Sequence, residues 1–125
     1  MSAAARSVRV FGAYISIVGI TLMLAPNVLL GLFGMPSTTE PWIRVLGVVL
    51  IALGAYYLLA AREEWVAFLR MTVWLRYFAA ASLIGLAVLQ MAPAALALFG
   101  VVDGASALWT HLALRGARQV AMEGA

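Results

Sequence analysis

Four long apolar runs, separated by short polar stretches, organise this chain. They predict helices over about residues 8–30, 43–61, 66–90 and 94–114, because each approaches the about 20 apolar residues that a helix needs to cross a bilayer. The second run is the clearest. In WIRVLGVVLIALGAYYLLAAR, residues 42–62, no charge interrupts the segment between Arg44 and Arg62. That is long enough to span hydrocarbon rather than line a soluble core. GLFGMPSTTEPW and QMAP punctuate the runs as loop and tight turn. No length remains for a soluble domain, so residues 1–125 are expected to form one four-helix transmembrane domain. The fold class is all-α, a polytopic membrane protein.

The first run follows Arg6 and Arg9 and has the outline of a signal peptide. Its apolar core is longer than the about 7 to 15 residues of such peptides, and no A-x-A site closes it. It is expected to be a retained helix.

Composition supports the same class. The residues are 66% hydrophobic and 10% charged, and the mean hydropathy is +1.05. A soluble domain of this size could not cover such a surface with so few charges. The basic residues are all arginine, and the net charge of +3 comes from groups near the ends of runs. Nucleic-acid binding needs a contiguous basic patch, which this placement lacks. Cysteine is absent, which excludes disulfides, thiol redox chemistry and cysteine-ligated metal. A single histidine argues against a conventional zinc or haem site. No cofactor and no metal are expected.

Arginine placement sets the expected orientation. Arg6, Arg9, Arg62, Arg70, Arg115 and Arg118 flank one side, and only Arg44 flanks the other. By the positive-inside rule both termini face the cytoplasm. Trp42 is expected to anchor the outer interface, and Trp65 and Trp74 lie toward the opposite one.

A weak repeat joins VRVFG(x6)G, from Val8 to Gly19, with IRVLG(x6)G, from Ile43 to Gly54. Two successive helices cross in opposite directions, so the repeat is inverted. Glycines seven apart mark a seam where backbones approach closely, and packing is favoured over a transporter-like repeat.

The polar residues give two candidate groups. Glu40 and Arg44 are four apart in the favourable acid-before-base order, with Pro41 suited to a first helical turn. They are expected to form an ion pair at the outer interface, and the alternative is an Arg44 that meets a lipid phosphate or carboxylate. Arg76 and Asp103 each lie roughly ten residues into their crossings, at mid-bilayer depth by the helical rise. Ionisable groups at that depth normally face the bundle interior and find a partner. A pair between the third and fourth helices is therefore expected, structural first and a boundary of a ligand cavity second. His111 is two turns from Asp103 and can face the same way. Tyr56, Tyr57, Trp74, Tyr77 and Trp109 add aromatic surface, and Ser82 and Gln90 are candidate interhelical hydrogen-bond groups.

Catalytic signatures such as G-x-S-x-G, H-E-x-x-H, a phosphate loop or a dinucleotide fingerprint do not occur. The glycines of GLFG lack the following lysine and resemble helix termination.

LFGMPSTTEPWIRVLGVVLIALGAYYLLAAR, then FLRMTVWLRYF and LFGVVDGASALWTHLALR, resembles a group of small bacterial four-helix membrane proteins, broadly DoxX-like, over nearly the whole chain. The specific pieces are TTE-x-W-x-R-x-x-G, Y-Y-L-x-A-A-R, and Asp103 with Trp109. The resemblance implies a four-helix fold in the bacterial cytoplasmic membrane and transfers no catalytic residue. The chain lacks the helix-one glutamate of small multidrug exporters and the cysteines of quinone-linked epoxide reductases.

The sequence thus points to a non-catalytic interaction or accessory subunit in contact with membrane lipids. It is expected to form a homo-oligomer or join a membrane-protein partner, with GVVLIALGA as a small-residue face for self-association. The alternative is a bundle binding a lipid-like or quinone-like ligand, catalytic or not, through Arg76, Asp103 and His111. A small transporter is the less favoured third reading.

Overall fold

In the computed structural model, which describes residues 1–124, the chain folds into five helices, and no strand occurs among the described residues. They are α1 (Ala3–Leu24), α2 (Pro26–Leu32), α3 (Trp42–Arg62), α4 (Val66–Val88) and α5 (Leu96–Glu123). All but α2 are long and apolar enough to cross a membrane. The all-α four-span architecture expected from the runs is present.

Three boundaries differ from the sequence reading. The first run is not one helix over residues 8–30. It begins at Ala3, where the Ser2 hydroxyl accepts from the Ala5 amide and satisfies an orphan donor. It breaks at Ala25, which leaves the helical region at φ −144° and ψ 66° before Pro26 starts α2. Proline disfavours the α conformation in the residue before it, and its ring suits a first turn. The fourth helix continues beyond 114 to Glu123, because ALRGARQVAME has strong helix formers and only one glycine to oppose them.

The ends of α2, α3 and α4 share one device. Gly34, Glu64 and Gln90 take positive φ values of 68°, 59° for Gln90 and 50° for Glu64. The next residue's amide then reaches back to a carbonyl of the last turn: Met35 to Leu30, Trp65 to Ala60 and Met91 to Leu86. Gln90 is therefore a turn residue outside α4 rather than an interhelical hydrogen-bond group.

Two hairpins make the bundle. α1 packs extensively on α3 and α4 on α5, and the hairpins meet mainly through α1 against α5. The α1–α3 seam is built on glycine. A Cβ on Gly47 would stand 2.6 Å from the Gly19 carbonyl oxygen, and one on Gly19 would stand 2.7 Å from that of Gly47. One on Gly54 would lie 3.0 Å from the Gly12 carbonyl oxygen and against the Ser16 hydroxyl. The inverted repeat is thus a reciprocal packing seam, Gly12 with Gly54 and Gly19 with Gly47. It also occupies the glycine face of GVVLIALGA within the chain, so that face is not free for self-association.

The apolar core lies toward the end that holds the N-terminus and the α3–α4 turn. Val8, Phe11, Ile15, Tyr57 and Leu69 are buried there, and the Phe11 and Tyr57 rings are 5.5 Å apart.

Candidate functional site

Arg44 is not paired with Glu40. Its Nη1 donates to the carbonyl oxygens of Met23 at 2.6 Å and Leu24 at 3.3 Å. The physical reason is that Glu40 precedes α3, so helical i,i+4 spacing does not apply to it. The last carbonyls of α1 have no intrahelical partner and carry the negative end of its dipole, which attracts a cation. Arg44 thus fastens the start of α3 to the end of α1. Arg44→Gln is expected to lower thermal stability by about 1 kcal/mol, the usual scale of a cation at a helix C-terminus. Glu40→Gln should leave the melting temperature unchanged, whereas an equal loss in both variants would restore the ion pair.

Arg76 is 2% exposed, but its close partners are hydroxyls and a carbonyl rather than Asp103. Nη2 donates to Thr110 Oγ1 at 2.8 Å and Thr72 Oγ1 at 3.3 Å, Nη1 to Ser106 Oγ at 3.1 Å, and Nε to the Thr72 carbonyl at 3.3 Å. The Phe11 ring lies 4.9 Å from the guanidinium carbon, a cation–π distance. Ser7 and Thr110 are joined at 2.6 Å, and Ser7 donates to the Ala4 carbonyl. Thr110 Oγ1 accepts from Arg76, shares the hydrogen bond with the Ser7 hydroxyl, and lies 3.2 Å from the Ser106 carbonyl, its other acceptor. The hydrogen bonds therefore connect α4 through α5 to α1. Among the described residues the only ion pair within 4.0 Å is Arg62 with Glu63, at 3.7 Å.

Helix register explains the missing direct pair. Folding α4 and α5 about the turn between Val88 and Leu96 places Arg76 opposite the turn between Ser106 and Thr110. Asp103 falls about 7 Å further toward the other end of the bundle at about 1.5 Å of rise per residue. It is half-buried, within electrostatic range of Arg76, Tyr14 and Tyr57. Its backbone carbonyl accepts from Ser106.

His111 belongs to a third grouping. Its ring is 5.8 Å from Trp74 and 6.2 Å from Tyr77, and Nδ1 lies 3.4 Å from the Tyr77 hydroxyl. Tyr57 is a core residue and Tyr56 is exposed. The expected site is therefore divided: Arg76 in a hydroxyl network, Asp103 a turn away, and His111 among aromatics.

A shallow groove of 210 Å³ between α1 and α5 is walled by Phe11, Tyr14, Val102 and Trp109, with Ser7 and Ser106 among its lining. A much larger open cleft of 1440 Å³ lies between the start of α4 and the last turns of α5. Ser7, Thr72, Ser106 and Thr110 did not stand out in the sequence. Their signal was spacing: Thr72 with Arg76, and Ser106 with Thr110, are i,i+4 pairs on facing helices.

Outside the membrane segments, Glu64 accepts a hydrogen bond from the Ser2 backbone N–H. That bond, made to the charged carboxylate, holds Glu64 below its ordinary value of 4.5. A carboxyl with a lowered folded pKa stabilises the folded state above its ordinary value, and the contribution is lost as pH falls through the lowered one. The Ser2 amide resonance should therefore titrate with a midpoint below 4.5 and should not titrate with that midpoint in Glu64→Gln. A midpoint at or above 4.5 in the unsubstituted protein would refute the contact.

Fold and site together define a class: an all-helical chain with four membrane-length helices and a buried, hydrogen-bonded arginine. Comparison with protein-family models, curated proteins and solved structures finds no match.

Proposed function

We propose that the protein is a non-catalytic interaction or accessory subunit of the bacterial cytoplasmic membrane. The supporting observation is the state of Arg76. Its three nitrogens all donate to acceptors on α4 and α5, so the most costly group in the bundle is committed to holding helices together. An arginine reserved for substrate would keep part of its donor fork toward a cavity. Purification in mild detergent is expected to recover a second copy or a constant membrane-protein partner. A strictly monomeric particle carrying a stoichiometric small molecule would overturn this reading.

The proposed orientation has both termini cytoplasmic, supported by the arginine asymmetry. With no native cysteine, Ser37→Cys and Gln119→Cys can each be probed with an impermeant thiol reagent in intact cells. Labelling is expected at position 37 and not at 119, and the reverse result inverts the topology.

The α1–α5 groove favours a second reading, a site for a lipid-like or quinone-like ligand. Its aromatic walls beside Ser7 and Ser106 suit a flat molecule with one polar edge. A ligand there should be displaced by Val102→Trp, which fills the groove, without loss of the partner complex. The DoxX-like resemblance is consistent with either reading.

A further inference from the structure

We propose that the cleft between the start of α4 and the end of α5 is a binding site for one anionic glycerophospholipid. Arg70 on α4 and Arg115 and Arg118 on α5 line it, and all three are exposed. Arg115 and Arg118 are three apart on one helical face. The register that sets Arg76 between Ser106 and Thr110 brings Arg70 close to the level of Arg115. Glu64, the acid in the lining, is already engaged by the Ser2 amide. The cleft therefore presents three guanidinium groups against one occupied carboxylate.

The vertical order of the lining selects a lipid over an acidic peptide or a free phosphate. α5, with 28 residues, is about 42 Å long at the helical rise, and exceeds the about 30 Å of hydrocarbon. Its last turns thus reach the headgroup region, where arginine meets phosphate in a bidentate fork. About one turn deeper than Arg70 the lining becomes apolar and aromatic, with Val73 and the exposed Trp74. Charge above and apolar surface below match a phosphate ester above its acyl chains. An acidic peptide would leave the deeper wall uncovered, and inorganic phosphate would not use it.

The full-length protein, purified with equal amounts of phosphatidylglycerol and phosphatidylcholine, tests this by native mass spectrometry of retained lipid. Phosphatidylglycerol should be retained preferentially at one per chain. Each single substitution, Arg70→Gln, Arg115→Gln or Arg118→Gln, should lower its retention about fivefold, as about 1 kcal/mol per arginine implies. Arg62→Gln, outside the cleft, should retain it fully. Arg118→Glu should abolish retention while the far-ultraviolet circular dichroism stays helical. Equal retention of the two lipids, or losses as large in Arg62→Gln, would overturn the site. Displacement by excess inorganic phosphate would reassign it to a free anion. A protein partner lost from the cleft variants while phosphatidylglycerol is kept would reassign it to an acidic peptide.

Discussion

Gly47→Ala and Gly19→Ala are expected each to destabilise the protein by about 2 kcal/mol or more, the upper part of the range for overpacked interfaces. The new methyl at position 47 would meet the Gly19 carbonyl oxygen at 2.6 Å and the Met23 backbone nitrogen at the same distance. At position 19 it would meet the Gly47 carbonyl oxygen at 2.7 Å and the Ile51 nitrogen at 2.9 Å. These neighbours are backbone, so no rotamer change relieves the clash and α1 must separate from α3. The about 1 kcal/mol of helix propensity gained by alanine over glycine offsets only part of this. Gly54→Ala should cost less, because its closest obstacle is the Ser16 hydroxyl, which can rotate. Gly85→Ala meets nothing within 4 Å and should be neutral or slightly stabilising. Thermal unfolding in detergent measures the series. A loss at Gly85 equal to that at Gly47 would show that propensity, and not the seam, governs the glycines.

Arg76→Leu is expected to cost about 2 to 4 kcal/mol, since hydrogen bonds from a charged donor contribute about 1.5 to 3 each in proteins and less between membrane helices. The variant removes donors to Thr72, Ser106 and Thr110 and the cation above Phe11. Asp103→Leu should cost less, because no close hydrogen bond joins it to Arg76. The double variant should resemble Arg76→Leu rather than recover. Recovery in the double variant would show that the two charges neutralise each other across the intervening turn. Arg76→Lys should not restore stability: an ammonium is a point charge and cannot reproduce the planar fork that reaches acceptors on two helices. Thr110→Val should reproduce part of the loss, since Thr110 alone links the guanidinium to Ser7 of α1.

The sequence by itself determined how many helices cross, where the breaks fall to within a few residues, and that Arg76 must be inside. These follow from the length and polarity of runs, which act locally and need no partner. It also held the glycine spacing of the α1–α3 seam, because successive crossings run antiparallel and equal spacing on both lets Gly12 meet Gly54 where Gly19 meets Gly47. Pro26 is the sequence signal for the break at Ala25, but the apolar run continues across it and by itself predicts one helix.

Only the tertiary structure decided which groups the buried cations meet. Counted from the first residue of each crossing, Arg76 is as deep as Asp103, but the two crossings start on opposite faces of the bundle, so Arg76 and Asp103 are not level. The register of the α4–α5 turn instead sets Arg76 level with Ser106 and Thr110, and a shift of about one helical turn is enough to replace an ion pair with a hydroxyl network. For Arg44 the nearest acid in sequence is Glu40, yet the side chain does not turn to it. It binds the carbonyls of Met23 and Leu24 because helix α1 ends beside it in space, leaving acceptors that no sequence pattern displays.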